Sequence, residues 1–526
     1  MQRRQNFLSG AAVLAGAVAV TKVLGALYKI PLGNLLGSQG MAHFYAAYNI
    51  YNLLLMLSTA GLPLAASRLV AQAAAQGRGA QTRQVFRAAL VLLGAAGAVF
   101  SALMLLLPHA LAGALHDGAA AAAIRVLAPS VLCVCLTSAI RGYTQGLGNM
   151  TPTAVSQIIE SACKLAVGLG LCAFLLRRGA APEVGAAGAI AGVTCGTALG
   201  LVFLLWALRY QTVPRGGDVP EPLGAAMGQL LRIGVPITLA GGGMSLMTLL
   251  DQSLVLGTLQ TTLGLSAQAA AEQYGQYTFG MTLFVLPPSF IFPLTVSLIP
   301  AITRARERRD HAAARRLTAA AIRITALLAL PMGAGLSVLA GPILHLLYPA
   351  VPETAEAAAY HLTVLGAASI FVCLMVVTNG ILQACGRERV PILTLLCGGA
   401  LKVAANYLMV GDPAVGIRGA PVGTLYSYVL IVALNMIAVH RCLRGQVDYF
   451  RCLWKPALCA AAMALGARGC HMLLHLRISQ NLATIAAVIV GAGIYGLLAL
   501  SLGAVTAEDL RALPKGEKWA KRLHLR

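Results

Sequence analysis

Apolar windows of about 20 residues, each closed by proline, glycine or charge, recur along the whole chain, and a run of that length crosses a bilayer as an α-helix. They fall near 7–31, 44–66, 88–107, 121–140, 153–176, 186–208, 229–257, 274–300, 318–347, 357–384, 392–411, 419–440, 456–476 and 481–503. The pattern predicts fourteen spans. Several exceed 25 residues, which predicts tilt, kinks or ends that do not span. Pro63, Pro236, Pro287, Pro288 and Pro293 mark the places for them.

Composition decides the solvent. The 526 residues are 58% hydrophobic and 11% charged, with a mean hydropathy of +0.77. Soluble domains are about 45–50% apolar and about 25% charged. Too little charge is present to cover a water-facing surface, so a soluble enzyme is excluded and an all-α integral membrane protein is expected.

The formal net charge of +22 takes its meaning from where the cations lie. With the amino terminus inside, the loops 67–87, 141–152, 209–228, 301–317, 385–391 and 441–455 and both tails are cytoplasmic. They hold 27 of the 39 Lys and Arg, the outer loops hold 4 (Arg177, Arg178, Arg418, Arg477), and 8 lie within spans. That asymmetry follows the positive-inside rule, so both termini are expected in the cytoplasm and no nucleic-acid partner is needed. The run from Arg304 to Arg316 becomes the loop after span 8, with attraction to anionic lipid as a second use. Arg3 and Arg4 flank a first helix expected to be retained.

No catalytic or cofactor pattern stands out. The chain lacks GxxxxGK[ST], HExxH and any Ser/His/Asp set, and its twelve cysteines form no CxxC pair. They read as small packing residues. His471 and His475 are four residues apart but have no third ligand nearby, so neither a metal nor a cofactor is expected.

An internal duplication organises the spans. RGYTQGLGNMTPTAVSQIIESACK at 141–164 repeats as NGILQACGRERVPILTLLCGGALK at 379–402. Gly142/Gly380, Gln145/Gln383, Gly148/Gly386 and Lys164/Lys402 match at a constant offset of 238. Pro152 and Pro391 match with a one-residue slip, and in the next helices GAAGAIAG at 185–192 is matched by GIRGAPVG at 416–423. An even number of crossings separates the copies, which implies two parallel six-helix repeats about an axis along the membrane normal. The expected divisions are lobes at 1–208 and 229–440, a cytoplasmic linker at 209–228, spans 13 and 14 at 441–503, and a basic tail at 504–526.

Charge inside the spans carries the candidate chemistry. A lysine at mid-membrane costs about 2.5–3.5 kcal/mol on insertion scales. Lys22 lies roughly 22 Å into span 1, and Lys164 and Lys402 roughly 15–17 Å into spans 5 and 11. Lys29 shares the Lys22 face seven residues on, which makes a cationic track. Arg68 follows the Gly61-Leu62-Pro63 break. Glu160 stands four residues before Lys164, an orientation that offsets part of that lysine's cost. Arg125, Arg141, Arg232 and Arg323 lie close enough to helix ends to snorkel. With Glu160 and Asp251 as the only acids against eight cations within spans, a cavity built from these groups holds an anion.

TKVLGALYKIPLGNLLG at 21–37, GLPLAASRLVAQ at 61–72 and RGYTQGLGNMTPTAVSQIIE at 141–160 resemble the stage V sporulation protein B branch of polysaccharide transporters. That branch is related to bacterial lipid II flippases and, more distantly, to multidrug and toxin extrusion transporters. The resemblance implies a two-lobed, V-shaped bundle in a bacterial cell membrane that works by alternating access. It also implies a cationic cavity for a pyrophosphate and its sugars, and a groove on spans 13 and 14 for a polyprenyl tail. Lys22 stands where lipid II flippases carry a functional arginine, and Lys29 lies one residue out of register with a second. Phe279-Gly280, in QYTFGMTLFVLPPS, departs from the Asp-Arg pair of those flippases.

The leading function is therefore flipping of an undecaprenyl-pyrophosphate-linked saccharide, a peptidoglycan precursor such as lipid II, from the inner to the outer leaflet. Moving two negative charges outward across an inside-negative membrane gains about 4.6 kcal/mol at about 100 mV. The alternatives are a cation-coupled multidrug exporter and a non-transporting scaffold of envelope or spore-cortex assembly. The substrate set is Lys22, Lys29, Arg68, Glu160, Lys164, Asp251 and Lys402. A coupling ion is left open, and the architecture needs only a monomer.

Overall fold

The structure is a computed structural model and describes residues 7–59, 61–211, 218–443 and 447–504. Every regular element among them is helical: α1 (Phe7–Thr59), α2 (Leu62–Ala75), α3 (Gly79–Leu106), α4 (Pro108–Ala114), α5 (Ala121–Gly146), α6 (Thr151–Cys163), α7 (Leu169–Arg177), α8 (Pro182–Leu208) and α9 (Leu223–Thr261). There follow α10 (Ala267–Phe284), α11 (Leu286–Glu307), α12 (His311–Val338), α13 (Ala340–Leu347), α14 (Pro352–Ala384), α15 (Arg389–Val410), α16 (Gly419–Cys442), α17 (Tyr449–His475) and α18 (Gln480–Ser501). Eleven helical stretches among the described residues are long and apolar enough to cross a membrane. One of them, Gly16–Ala75, holds the second expected span and most of the first.

Local sequence explains where the helices bend. α1 runs through Pro31 and breaks at Gly37, whose φ of +63° only glycine adopts without strain. Pro63 and the Pro287-Pro288 pair sit in the first turns of α2 and α11, where a missing N–H costs no intrahelical bond. The expected eighth span is accordingly two helices, α10 and α11, meeting at Val285.

The chain divides into two compact units, Met1–Gly275 and Gln276–Arg526. In the first, α5 packs on α3 and α8, α1 packs on α5, α6 and α8, and α9 lies along α1, α2 and α3. α5 also meets α2 closely because glycines line that contact: a Cβ on Gly142 would meet the Pro63 carbonyl, and one on Gly146 the Ser67 carbonyl. The segment before α9 is fastened to the same unit. Asp218 accepts the backbone N–H groups of Ala80 and Gln81, each at 2.9 Å. Those bonds hold its carboxyl below the usual carboxylate range.

In the second unit α14 packs on α11, α12 and α16, and α15 on α16. The pair α17 and α18 joins through α12, where the Tyr495 hydroxyl donates to the Leu327 carbonyl at 2.7 Å. Phe279 is fully buried against Tyr348, with ring centroids 4.5 Å apart, and Gly280 lies against Leu365 and His361. These two positions serve helix packing inside this unit.

The duplicated segments carry matching local structure. α5 ends with Gly148 (φ +80°) donating to the Gln145 carbonyl and Asn149 to the Thr144 carbonyl. α14 ends with Gly386 (φ +70°) donating to the Gln383 carbonyl and Arg387 to the Leu382 carbonyl. These are the same Schellman cap at the sequence offset of 238.

Candidate functional site

The kink at Gly37 returns α1 upon itself in a run of aromatic residues, Phe44, Tyr45, Tyr48 and Tyr51. Phe44 stacks on Tyr48 at 5.5 Å and lies 6.1 Å from Tyr28, ring centre to ring centre. Tyr28 is fixed from the other side, donating from its hydroxyl to the Ala189 carbonyl of α8 at 3.0 Å.

Two lysines are held in this aromatic group. The Lys29 ammonium donates to the Tyr45 hydroxyl at 3.0 Å and lies 4.9 Å from the centre of that ring. Lys164 opens a π-turn, Lys164–Gly168, between α6 and α7. Such widened turns re-aim a side chain. Its ammonium sits 4.7 Å above the Tyr28 ring and 4.6 Å above the Tyr48 ring, and donates to the Tyr48 hydroxyl at 3.4 Å. The turn is tolerated because Gly192 of α8 presses on Gly168, where a Cβ would overlap the backbone.

Magnitudes separate the lysines. A cation over an aromatic face gains about 0.5–2 kcal/mol depending on desolvation. Two rings therefore offset most of the roughly 2.5–3.5 kcal/mol cost of placing Lys164 in the membrane. Lys22 lies exposed on α1, two helical turns before half-buried Lys29, and makes no such contact. Among the described residues no carboxylate pairs with Lys22, Lys29 or Lys164. Lys29 and Lys164 are joined by one aromatic group, since Phe44 contacts Tyr28, Tyr45 and Tyr48.

Glu160 does not pair with Lys164, contrary to the spacing argument. Its Oε1 accepts from Arg141 Nη2 at 2.7 Å, and the same guanidinium donates to Ser156 Oγ at 2.8 Å. Arg141 bonds two acceptors at once through its planar fork, whereas Lys164 is drawn to the ring faces. Gly196 and Gly200 of α8 pack directly on Glu160. The pair thus fastens α5 to α6 and leaves Lys164 without an acid.

The remaining predicted residues are dispersed. Arg68 is exposed on α2. Asp251 is buried in α9, beside Gln252, whose Oε1 accepts from Asn49 Nδ2 at 2.7 Å. Lys402 is half-buried on α15 in the second unit. At the offset of 238 the Arg141 and Ser156 positions recur as Asn379 and Thr394. There Asn435 bridges the two, donating to Asn379 Oδ1 and accepting from Thr394 Oγ1, each at 2.8 Å. The first unit uses a charged pair where the second uses neutral amides.

Sequence reasoning missed Tyr28, Tyr45, Tyr48 and Arg141. The signal for the tyrosines was present: Tyr45, Tyr48 and Tyr51 repeat every third residue just after a glycine break. A second buried contact also escaped notice, His43 Nδ1 at 2.7 Å from Asp117 Oδ1.

Comparison with known proteins bears on the family and the fold. The family model described as polysaccharide biosynthesis protein matches residues 7–306, and the MatE model matches residues 236–408. The chain is 25% identical over 453 residues to stage V sporulation protein B of Bacillus subtilis (strain 168), covering 84% of this chain and 85% of that protein. It is 24% identical over 463 residues to the lipid II flippase MurJ of the same organism, covering 83% of each. Among solved structures, the lipid II flippase MurJ in an inward closed conformation superposes with a TM-score of 0.72 at 12% identity, covering 93% of this chain and 98% of that one. An inward-facing multidrug resistance MATE family transporter of the MOP superfamily superposes with a TM-score of 0.66 at 14% identity, covering 82% and 100%.

Proposed function

The chain belongs to the polysaccharide biosynthesis protein family, and from that premise we propose that it flips a polyprenyl-pyrophosphate-linked saccharide across the cell membrane, from the inner to the outer leaflet. The observation that carries this reading is the set Lys22, Lys29 and Lys164, gathered in one unit with no carboxylate partner among the described residues. A pyrophosphate supplies the missing counter-charge and accepts charge-assisted hydrogen bonds. Aromatic faces beside the lysines exclude water and suit sugar rings. The names of its relatives, a lipid II flippase and stage V sporulation protein B, support a lipid-linked saccharide of the peptidoglycan kind.

Two acids of the first unit are already engaged by basic side chains, which disfavours them as sites for cation-coupled drug export. Glu160 is bound to Arg141 and Asp117 to His43. In this reading the protein acts without catalysis, as a monomer, with both termini in the cytoplasm. Labelling of single cysteines in intact cells checks the orientation, since external labelling of the 301–317 loop contradicts it.

Binding provides the test of substrate class. Native mass spectrometry of the full chain is expected to show an adduct with an undecaprenyl-pyrophosphate saccharide and little with undecaprenol, which has the same tail and no phosphate. Equal retention of the two lipids overturns the pyrophosphate reading.

A further inference from the structure

Packing in the first unit uses the hydroxyl oxygen of Tyr48 and leaves its hydrogen over. A phenol both accepts and donates. After the Gly37 break, stacking of Tyr48 on Phe44 at 5.5 Å, with ring planes 13° apart, fixes the ring on α1. The oxygen accepts from the Lys164 ammonium at 3.4 Å, so the O–H points away from that ammonium. Among the described residues nothing accepts it.

Tyr28 supplies the contrast. Its ring also lies under Lys164, at 4.7 Å, but it is buried and its hydroxyl donates to the Ala189 carbonyl at 3.0 Å. One tyrosine spends its proton on helix packing and the other keeps it. Tyr48 and Lys164 are both half-buried, a setting in which a tyrosine hydroxyl ordinarily has a partner.

The acceptor that fits this place is an anion. An ammonium bonded to the phenol oxygen polarises the O–H and strengthens it as a donor. The same ammonium bonds no carboxylate among the described residues. Phenol and ammonium therefore present two donors 3.4 Å apart, close enough for one phosphate to take a bond from each. A sugar hydroxyl would accept the proton too, but it brings no counter-charge for the lysine.

Resting on the reading of this chain as a flippase of pyrophosphate-linked lipids, we propose that the Tyr48 hydroxyl donates directly to a phosphate oxygen of the substrate. Lys164 holds the phenol in the donating orientation and balances the charge of the same phosphate. Tyr48 is then a substrate ligand that favours pyrophosphate over an uncharged headgroup.

The test uses the purified full chain in detergent, offered undecaprenyl pyrophosphate, its saccharide-linked form or undecaprenol, with retained lipid read by native mass spectrometry. The parent is expected to retain both pyrophosphates over undecaprenol. Tyr48→Phe keeps the ring faces around Lys164 and is expected to bind both pyrophosphates about 10–100-fold more weakly, the worth of a hydrogen bond to a charged group, with undecaprenol unchanged. Tyr28→Phe deletes the same atom from the other ring and is expected to lose only a small part of that affinity, while its folded fraction after a heat step falls. If Tyr48→Phe does not fold, O-methyltyrosine at position 48 carries the test with the same loss expected, since it keeps the ring and the oxygen that Lys164 bonds and removes only the proton. Equal binding by the parent and the folded position-48 variants overturns the proposal and leaves the flippase reading standing. A loss confined to the saccharide-linked lipid also overturns it, because Tyr48 would then contact the sugar. A parent that retains undecaprenyl pyrophosphate no better than undecaprenol overturns the reading itself, and the proposal with it.

Discussion

Lys22→Gln, expressed at the parent level, is expected to fail to complement a flippase-deficient strain, while Lys22→Arg retains part of the activity. The reasoning compares costs. Lys164 is compensated by two tyrosine faces and Lys29 by the Tyr45 hydroxyl and ring, so each is held whether or not substrate is present. Lys22 has no comparable contact and stands exposed, two turns away on the same helix. An ammonium at that depth is stabilised by water or by an anion, and a charge-assisted hydrogen bond to phosphate is worth about 1.5–3 kcal/mol. Glutamine keeps length and polarity without charge, so transport should fall by about 10–100-fold. Arginine preserves the charge with a different donor geometry. Full complementation by the Gln variant removes Lys22 from the site.

The second large effect is on stability. Arg141→Gln leaves Glu160 facing Gly196 and Gly200 with its cation gone. Removing one partner of a buried ion pair costs about 3–5 kcal/mol. The lower part of that range applies here, because the two side chains retain 15% and 21% exposure. The folded fraction surviving a heat step in detergent, read by size exclusion, should drop sharply for Arg141→Gln. The double variant Arg141→Gln/Glu160→Gln should recover much of it, since two amides can share the contact with Ser156. A single variant as heat-resistant as the parent would mean that the pair contributes little to holding α5 on α6.

These two predictions differ in how far the sequence alone could reach them. Hydropathy located helices long and apolar enough to cross a membrane at expected spans 1–6 and 9–14, because burial in lipid imposes the same apolar length on each helix wherever it packs; the windows at 229–257 and 274–300 match no such stretch among the described residues. It misjudged ends at prolines: Pro31 lies inside α1, since a membrane helix tolerates proline where neighbouring groups absorb the lost bond. The break came six residues later at Gly37, where backbone conformation demanded it. The duplication was visible as matched glycines, and Gly148 and Gly386 turn out to make the same cap. The lysines were legible because charge within an apolar run is conspicuous. Their partners were not. Tyr28 and Tyr48 reach Lys164 from α1, more than a hundred positions away, and no local periodicity encodes that meeting. The spacing rule for Glu160 and Lys164 applies to an isolated helix, whereas here Arg141 on the adjoining helix offered the carboxylate a better donor.

Translocation itself is the most direct test of the account. The full chain is reconstituted in liposomes carrying a fluorescent polyprenyl-pyrophosphate saccharide in both leaflets, and a membrane-impermeant reagent that destroys the fluorophore is added outside. With the parent chain present, nearly all of the fluorescence should be lost as inner-leaflet lipid is carried out, whereas Lys22→Gln should leave the inner-leaflet half protected. Protection of that half by the folded parent, under conditions where a lipid II flippase exposes it, would contradict the claim that this chain flips such lipids.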